Sequence, residues 1–255
     1  MKLSSAPITL ILVATLAWGC QGQDETSQDA AQTGSAVKTL AETTVIPRAA
    51  LFGNADKFQG RISPDGSTLS WLAPRDGVQN IWIAPADKPD DTRPITADTG
   101  RGIQQHLWAS DSKTILYLQD KGGNENEHVF AVDPETAEVR DLTPVADDKR
   151  AVLYGVSRFR PGVVLVGLNE RDPQLFDLYE VDIASNEKRL IIENPGFADW
   201  LIDNELTPRF ALQPKPDGGM TVVRSEDGSW GPFAEIPGED VISSTPIGFN
   251  RDNSA

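Results

Sequence analysis

A strand, loop, strand, turn, strand unit repeats along this chain, and that repeat limits the fold more than any single residue does. Its clearest copy runs from Lys113 to Pro144. Ile115 to Leu118 form a β-rich run, the Gly/Asn/Glu segment 121–127 breaks it, and His128 to Val132 start a second run. Asp133-Pro134-Glu135-Thr136 then turns the chain. Val139, Leu142 and Thr143 make a short third strand that Pro144 ends, because proline has no N–H to give a central ladder.

Degenerate copies follow the same order. Phe58 to Gly66 leads into Leu69–Leu72, then Ile81-Trp82-Ile83 and Pro94-Ile95-Thr96, which is a four-strand unit. The pattern returns at Leu107 to Ser112, at Ser157 to Gly162 with Val163 to Leu168, and from Trp200, with matching positions at Asp65, Asp111, Gly162, Asn204 and Asp252. A period of about 40–50 residues is that of propeller blades and too long for ankyrin or leucine-rich units. Helical periodicity is lacking, while short Val/Ile/Thr/Trp runs alternate with Pro-Asp-Gly, Asp-Gly and Pro-Gly turns. The fold class is therefore all-β. Val163-Val164-Leu165-Val166 is continuously apolar, which suits an inner strand buried on both faces and favours a β-propeller over a sandwich or jelly roll.

Four units span residues 57–97, 103–144, 150–193 and 197–240, and Ile247 to Asn253 starts a fifth. An open arc would leave apolar blade faces uncovered. The expectation is a fragment of a larger ring, in preference to a four-bladed ring closed by a terminal extension.

The amino-terminal residues read differently. Lys2, the apolar run Ile8–Leu16 and Ala17-Trp18-Gly19 ahead of Cys20 form a lipoprotein-like signal over residues 1–20, too short to span a membrane, with Cys20 as the lipid attachment point. Ala17 and Trp18 depart from the usual pattern, and simple secretion with a free thiol is the alternative. Residues 21–45 are polar and small, a disordered tether that would hold the domain at 46–255 away from the membrane. The location implied is the bacterial cell envelope, periplasmic or membrane-anchored. A single cysteine excludes an intramolecular disulfide and a multi-cysteine metal site. With 38 acidic against 23 basic side chains, a net charge of −15 and no basic block, a nucleic-acid surface is excluded as well.

Gly122 to Asp133, continuing through Val139 to Pro144, resembles the N-terminal propeller of the prolyl oligopeptidase family, in its acylaminoacyl-peptidase and dipeptidyl-peptidase-like branch. Asn169 to Asp182 resembles the next blade of the same branch. The resemblance implies a serine peptidase in which the propeller precedes an α/β-hydrolase domain and restricts entry to short peptides. That catalytic domain is not among these residues: no G-x-S-x-G elbow occurs, and Gly155-Val156-Ser157-Arg158-Phe159 lacks the closing glycine. No catalytic residue is assigned, and His106 and His128 are read as structural or solvated. No metal or cofactor is expected, since Asn124-Glu125-Asn126-Glu127 has oxygen ligands but no calcium-loop spacing.

Partners implied are the hydrolase domain, a peptide substrate and, through Cys20, the membrane. In a propeller, connections between second and third strands leave one face, here Pro74–Gln79, Gln119–Glu127, Asn169–Asp177 and Gln213–Gly219. Asn124, Glu125, Glu127, Arg171 and Asp172 on that face are the candidates for domain contacts or for a substrate's charged terminus. The alternative function is a non-enzymatic propeller lipoprotein, similar to TolB, that binds a protein partner. A carbohydrate- or metabolite-binding propeller has only scattered tryptophans behind it, and Trp71, Trp82 and Trp108 read as core.

Overall fold

A computed structural model of the chain describes residues 46–53 and 55–254. The signal segment, Cys20 and the tether lie outside the described residues. The described residues up to Phe52 belong to one compact unit and those from Gly53 onward to a second. Its one described element is the short helix α1, Arg48–Phe52, which the all-β reading does not include. No helix among the described residues is long and apolar enough to cross a membrane.

The second unit is a stack of four-stranded antiparallel sheets in simple up-and-down order. Blade 1 comprises β1 (Phe58–Ile62), β2 (Thr68–Arg75), β3 (Val78–Pro85) and β4 (Arg93–Pro94). Blade 2 has β5 (His106–Trp108), β6 (Ile115–Gln119), β7 (His128–Val132) and β8 (Val139–Asp141). Blade 3 has β9 (Ala151–Ser157), β10 (Arg160–Asp172), β11 (Leu175–Asp182) and β12 (Lys188–Ile192). Blade 4 has β13 (Asp199–Ile202), β14 (Pro208–Pro214), β15 (Met220–Glu226) and β16 (Ser229–Ile236). This is the blade architecture of a β-propeller.

Stacking explains the continuous apolar runs. In β6, Ile115 and Tyr117 pack against Leu72, Ile81 and Ile83 of blade 1. Leu116, between them in sequence, belongs to the cluster that joins blade 2 to Val164, Val166 and Leu168 of blade 3. Successive side chains of a strand point to opposite faces, so a middle strand with a blade on each side must be apolar at every position. Val163 to Val166 obeys the same rule as part of β10, the second strand of its blade, with β9 paired to it. Between blades 3 and 4 the filling is aromatic: Phe197 and Trp200 lie edge to face at 5.2 Å, and Trp230 packs on both.

The turn between first and second strands repeats in detail. Gly66, Ser112, Leu206 and Asn253 all have left-handed φ of 61–77°. Each donates its N–H to the carbonyl three residues back, on Ser63, Ala109, Asp203 and Asn250. The equivalent third positions are thus Asp65, Asp111, Glu205 and Asp252, not Asn204. Gly162 drops out too, since blade 3 turns at Arg158-Phe159 and Gly162 lies inside β10. Neighbouring turns are hydrogen-bonded: Asp65 N–H to Ser112 Oγ at 3.1 Å, and Asn204 N–H to Asn253 Oδ1 at 2.9 Å. Residues 250–253 therefore stand to blade 4 as a next blade's first turn would.

Arginines on the outer strands tie blades together. Arg93 of β4 donates to the carbonyls of Pro134 and Glu135 in the β7–β8 turn. Arg140 of β8 donates to Ile183 O at 2.8 Å, Ala184 O at 3.3 Å and Asn186 Oδ1 at 3.2 Å in the β11–β12 turn.

Candidate functional site

The connection between β6 and β7, residues 120–127, carries three of the five predicted site residues, and its shape follows from a few polar anchors. Asp120 accepts the N–H of Glu125 at 2.9 Å, and Asn124 Oδ1 accepts that of Asn126 at 3.0 Å. The amides of Asn124 and Asn126 both donate to Asp147 O, at 2.9 and 2.8 Å, and Lys121 pairs with Asp147 at 3.0 Å. Such side-chain-to-backbone bonds take over from ladder bonds in a loop rich in Asn and Asp. Glycine is required at 123: its φ is +87°, and a Cβ there would meet Arg101 at 3.2–3.3 Å. Glu125 holds the left-handed conformation without being glycine, at φ +60°.

Folded this way, the loop forms one wall of a cleft of about 370 Å³ whose other walls are the linkers before and after blade 2. Its charged residues are Arg101, Asp120, Glu125, Glu127 and Arg150. Arg101 pairs with Asp120 at 3.5 Å and Arg150 with Glu127 at 3.2 Å. Glu125 has no ion-pair partner among the described residues and is exposed. The cleft thus presents one unmatched carboxylate framed by two neutralised pairs. Chemically it can take a cation or the donor end of a peptide, with glutamines 104, 105 and 119 as further polar groups.

Arg171 and Asp172 line neither this cleft nor the one on the other side of the loop. They sit at the end of β10 and not in a loop, because the connection to β11 is only Pro173-Gln174. The β2–β3 connection is likewise only Asp76-Gly77. Arg171 grips Asp177 with two bonds, 2.9 and 2.7 Å, and donates to Asn194 O at 3.0 Å. Burial pushes the Asp177 carboxyl up, but Arg171 and the Asn194 N–H outweigh it and hold the pKa below the ordinary value. Asp172 accepts the Gln174 N–H at 2.9 Å and shapes the turn.

Asp120, Arg101 and Arg150 were not singled out by sequence reasoning. Arg101 and Arg150 lie in the linkers before blades 2 and 3, where no strand or turn pattern marks them. The two histidines sit elsewhere. His106 is buried, with Nε2 2.9 Å from Ser70 Oγ, which also accepts Trp108 Nε1–H at 2.9 Å. Burial, with Arg61 adding, pushes its pKa down to about 4. Ser70 is 1% exposed, so this serine–histidine contact is a core link that no substrate can reach. His128 Nδ1 contacts Asp141 at 2.7 Å beside the loop. Among the described residues, no three His, Cys, Asp or Glu side chains are grouped to hold a metal.

No protein-family model matches the chain. It is 44% identical over 220 residues, 86% of its length, to dipeptidyl aminopeptidase BIII of Pseudoxanthomonas mexicana, of which it spans 32%. It is 27% identical over 225 residues, 82% of its length, to dipeptidyl peptidase family member 6 of Caenorhabditis elegans, of which it spans 30%. The chain thus spans about a third of the length of the curated relatives it matches. Among solved structures, the β-propeller domain of the trilobed protease from Pyrococcus furiosus matches 70% of this chain and 56% of its own, with a TM-score of 0.47 and 17% identity. The chain is a homologue of a dipeptidyl aminopeptidase, and its four stacked sheets fit an N-terminal propeller of the prolyl oligopeptidase family.

Proposed function

We propose that this propeller is the substrate-admitting part of an exported serine peptidase and that the cleft beside loop 120–127 receives the free amino end of a short peptide. The observation that carries this is the single unpaired carboxylate of Glu125 between the Arg101–Asp120 and Arg150–Glu127 pairs. A protonated amine placed there completes the charge balance, and a charge-assisted hydrogen bond from it is about twice as strong as a neutral one. The similarity to relatives named for dipeptidyl peptidase activity supports a substrate with a free amino end. Catalysis itself belongs to an α/β-hydrolase domain facing this end of the blades.

In the complete enzyme, Glu125→Gln raises KM about tenfold for peptides with a free amino end and leaves N-acylated substrates unaffected, consistent with the usual worth of a hydrogen bond to a charged group. Equal KM values for both substrate types, before and after the change, would remove the assignment. The envelope location is part of the same proposal. Acylation at Cys20 would place the protein in the membrane fraction and Cys20→Ser would release it, so a fractionation indifferent to that change would count against the anchor.

A further inference from the structure

We propose that a second cleft, between the inner strands of blades 3 and 4, binds the carboxylate of a peptide. It has a volume of about 560 Å³, and its lining includes Tyr154, Ser157, Arg158, Phe159, Asn204 and Arg251. It lies at the ends of the sheets where first and second strands turn. Glu125 sits on a connection between second and third strands, which the up-and-down order places at the other end.

Three turns are tied together here through one residue. Asn204 receives Ser157 Oγ–H on its carbonyl at 2.5 Å and donates its N–H and Nδ2–H to Asn253 Oδ1 at 2.9 and 2.7 Å. Its Nδ2 also donates to Asn250 O at 2.7 Å. This frame sets Arg158, on the blade 3 turn, and Arg251, on the turn after blade 4, around one opening. The Arg158 guanidinium rests over the Phe159 ring at 4.6 Å, which limits where it can point.

Neither arginine has a hydrogen-bond or ion-pair partner among the described residues. The acidic group lining the cleft, Asp203, is already committed. It accepts the N–H groups of Glu205 and Thr207, each at 2.9 Å, pairs with Arg209 at 3.3 Å, and its side chain is 4% exposed. In a chain of net charge −15, two free guanidiniums in one opening are an anion site by charge. A guanidinium fork matches a carboxylate in shape as well as charge. Tyr154, Phe159 and Ile202 add apolar wall beside it, which suits a carboxylate attached to an organic group over a bare inorganic ion.

The test is titration of the full chain with N-acetyl-alanyl-phenylalanine as free acid and as amide, and with inorganic phosphate, followed by calorimetry. The acetyl cap removes the amino end, so Glu125 is not engaged and the result is independent of the reading of its cleft. The free acid is expected to bind, and the amide about tenfold or more weaker, as for loss of a charge-assisted pair. Arg158→Gln and Arg251→Gln should each weaken the acid by a similar factor with unchanged melting, and Glu125→Gln should not. The proposal is overturned if acid and amide bind alike, if the acid does not bind, if both arginine variants bind as before, or if phosphate alone binds.

Discussion

At the scale of the residue, two buried polar groups set what the propeller tolerates. His106 is neutral in the folded state with a pKa near 4, whereas an unfolded histidine titrates near 6.5. A depressed folded pKa stabilises fully above the unfolded value and is lost as pH falls through the folded one, because the unfolded chain binds the proton first. Stability should therefore decline between about pH 6.5 and 4 by up to about 3 kcal/mol on account of this group. His106→Asn should flatten the pH dependence of Tm between about pH 6.5 and 5, above the range where ordinary carboxylates dominate. Identical slopes for the two proteins would show that His106 is not the titrating group. Arg171 makes the contrasting case. Its bidentate bond with the buried Asp177 makes Arg171→Ala first a stability change, because the carboxylate is left inside without its cation. We expect a clear fall in Tm for Arg171→Ala and little for Glu125→Gln, whose carboxylate has no partner to strand.

At the scale of the element, legibility in the sequence depended on whether a strand's surroundings are the same on both sides. β6 was plain because Ile115, Leu116 and Tyr117 are each buried, alternately against blades 1 and 3. β10 was not. Its end, Asn169 to Asp172, is polar and reads as loop, yet it remains strand across an irregularity in the pairing between Leu168 and Asp172, where side chains need not meet a neighbouring blade. The repeating turn was visible at Asp65 and Asp111 but shifted at Asn204, because Leu206 takes a left-handed place that the sequence pattern reserves for glycine, serine or asparagine. The clefts were illegible, since their walls come from linkers and turns distant in sequence. Loop 120–127 was marked by its glycines, and Gly123→Ala tests how firmly it is held. A Cβ at φ +87° against Arg101 should cost about 1 kcal/mol or more and displace the Arg101–Asp120 pair. Faster amide exchange confined to 120–127 would be the sign, and unaltered exchange there would show that the loop yields at no cost.

At the scale of the whole stack, the clusters and clasps seen among the described residues join blades adjacent in sequence, so stability is carried by blade interiors and by the junctions between them. The junctions are not alike. Blades 1 and 2 share a mixed cluster of isoleucines with Trp108 and Tyr117 together with the Arg93 clasp, blades 2 and 3 an aliphatic cluster and the Arg140 clasp, and blades 3 and 4 the Phe197–Trp200–Trp230 group. In blade 3 the corresponding arginine, Arg189, pairs instead with Glu180 of its own sheet, and the β15–β16 turn of blade 4 is only Asp227-Gly228. The Arg140 clasp is reciprocal: Asn186 Nδ2 donates to Asp141 O at 2.6 Å while Arg140 donates to Asn186 Oδ1. Arg140→Ala and Asn186→Ala should then be coupled, their joint cost differing from the sum of the single costs by about 0.5–3 kcal/mol, as for residues in one hydrogen-bond network. Arg140→Lys should recover only part of the loss, since one ammonium cannot reach three acceptors spread over Ile183, Ala184 and Asn186 as a planar fork can. Additive single costs in denaturant unfolding would mean that the Arg140–Asn186 contact contributes nothing to this junction.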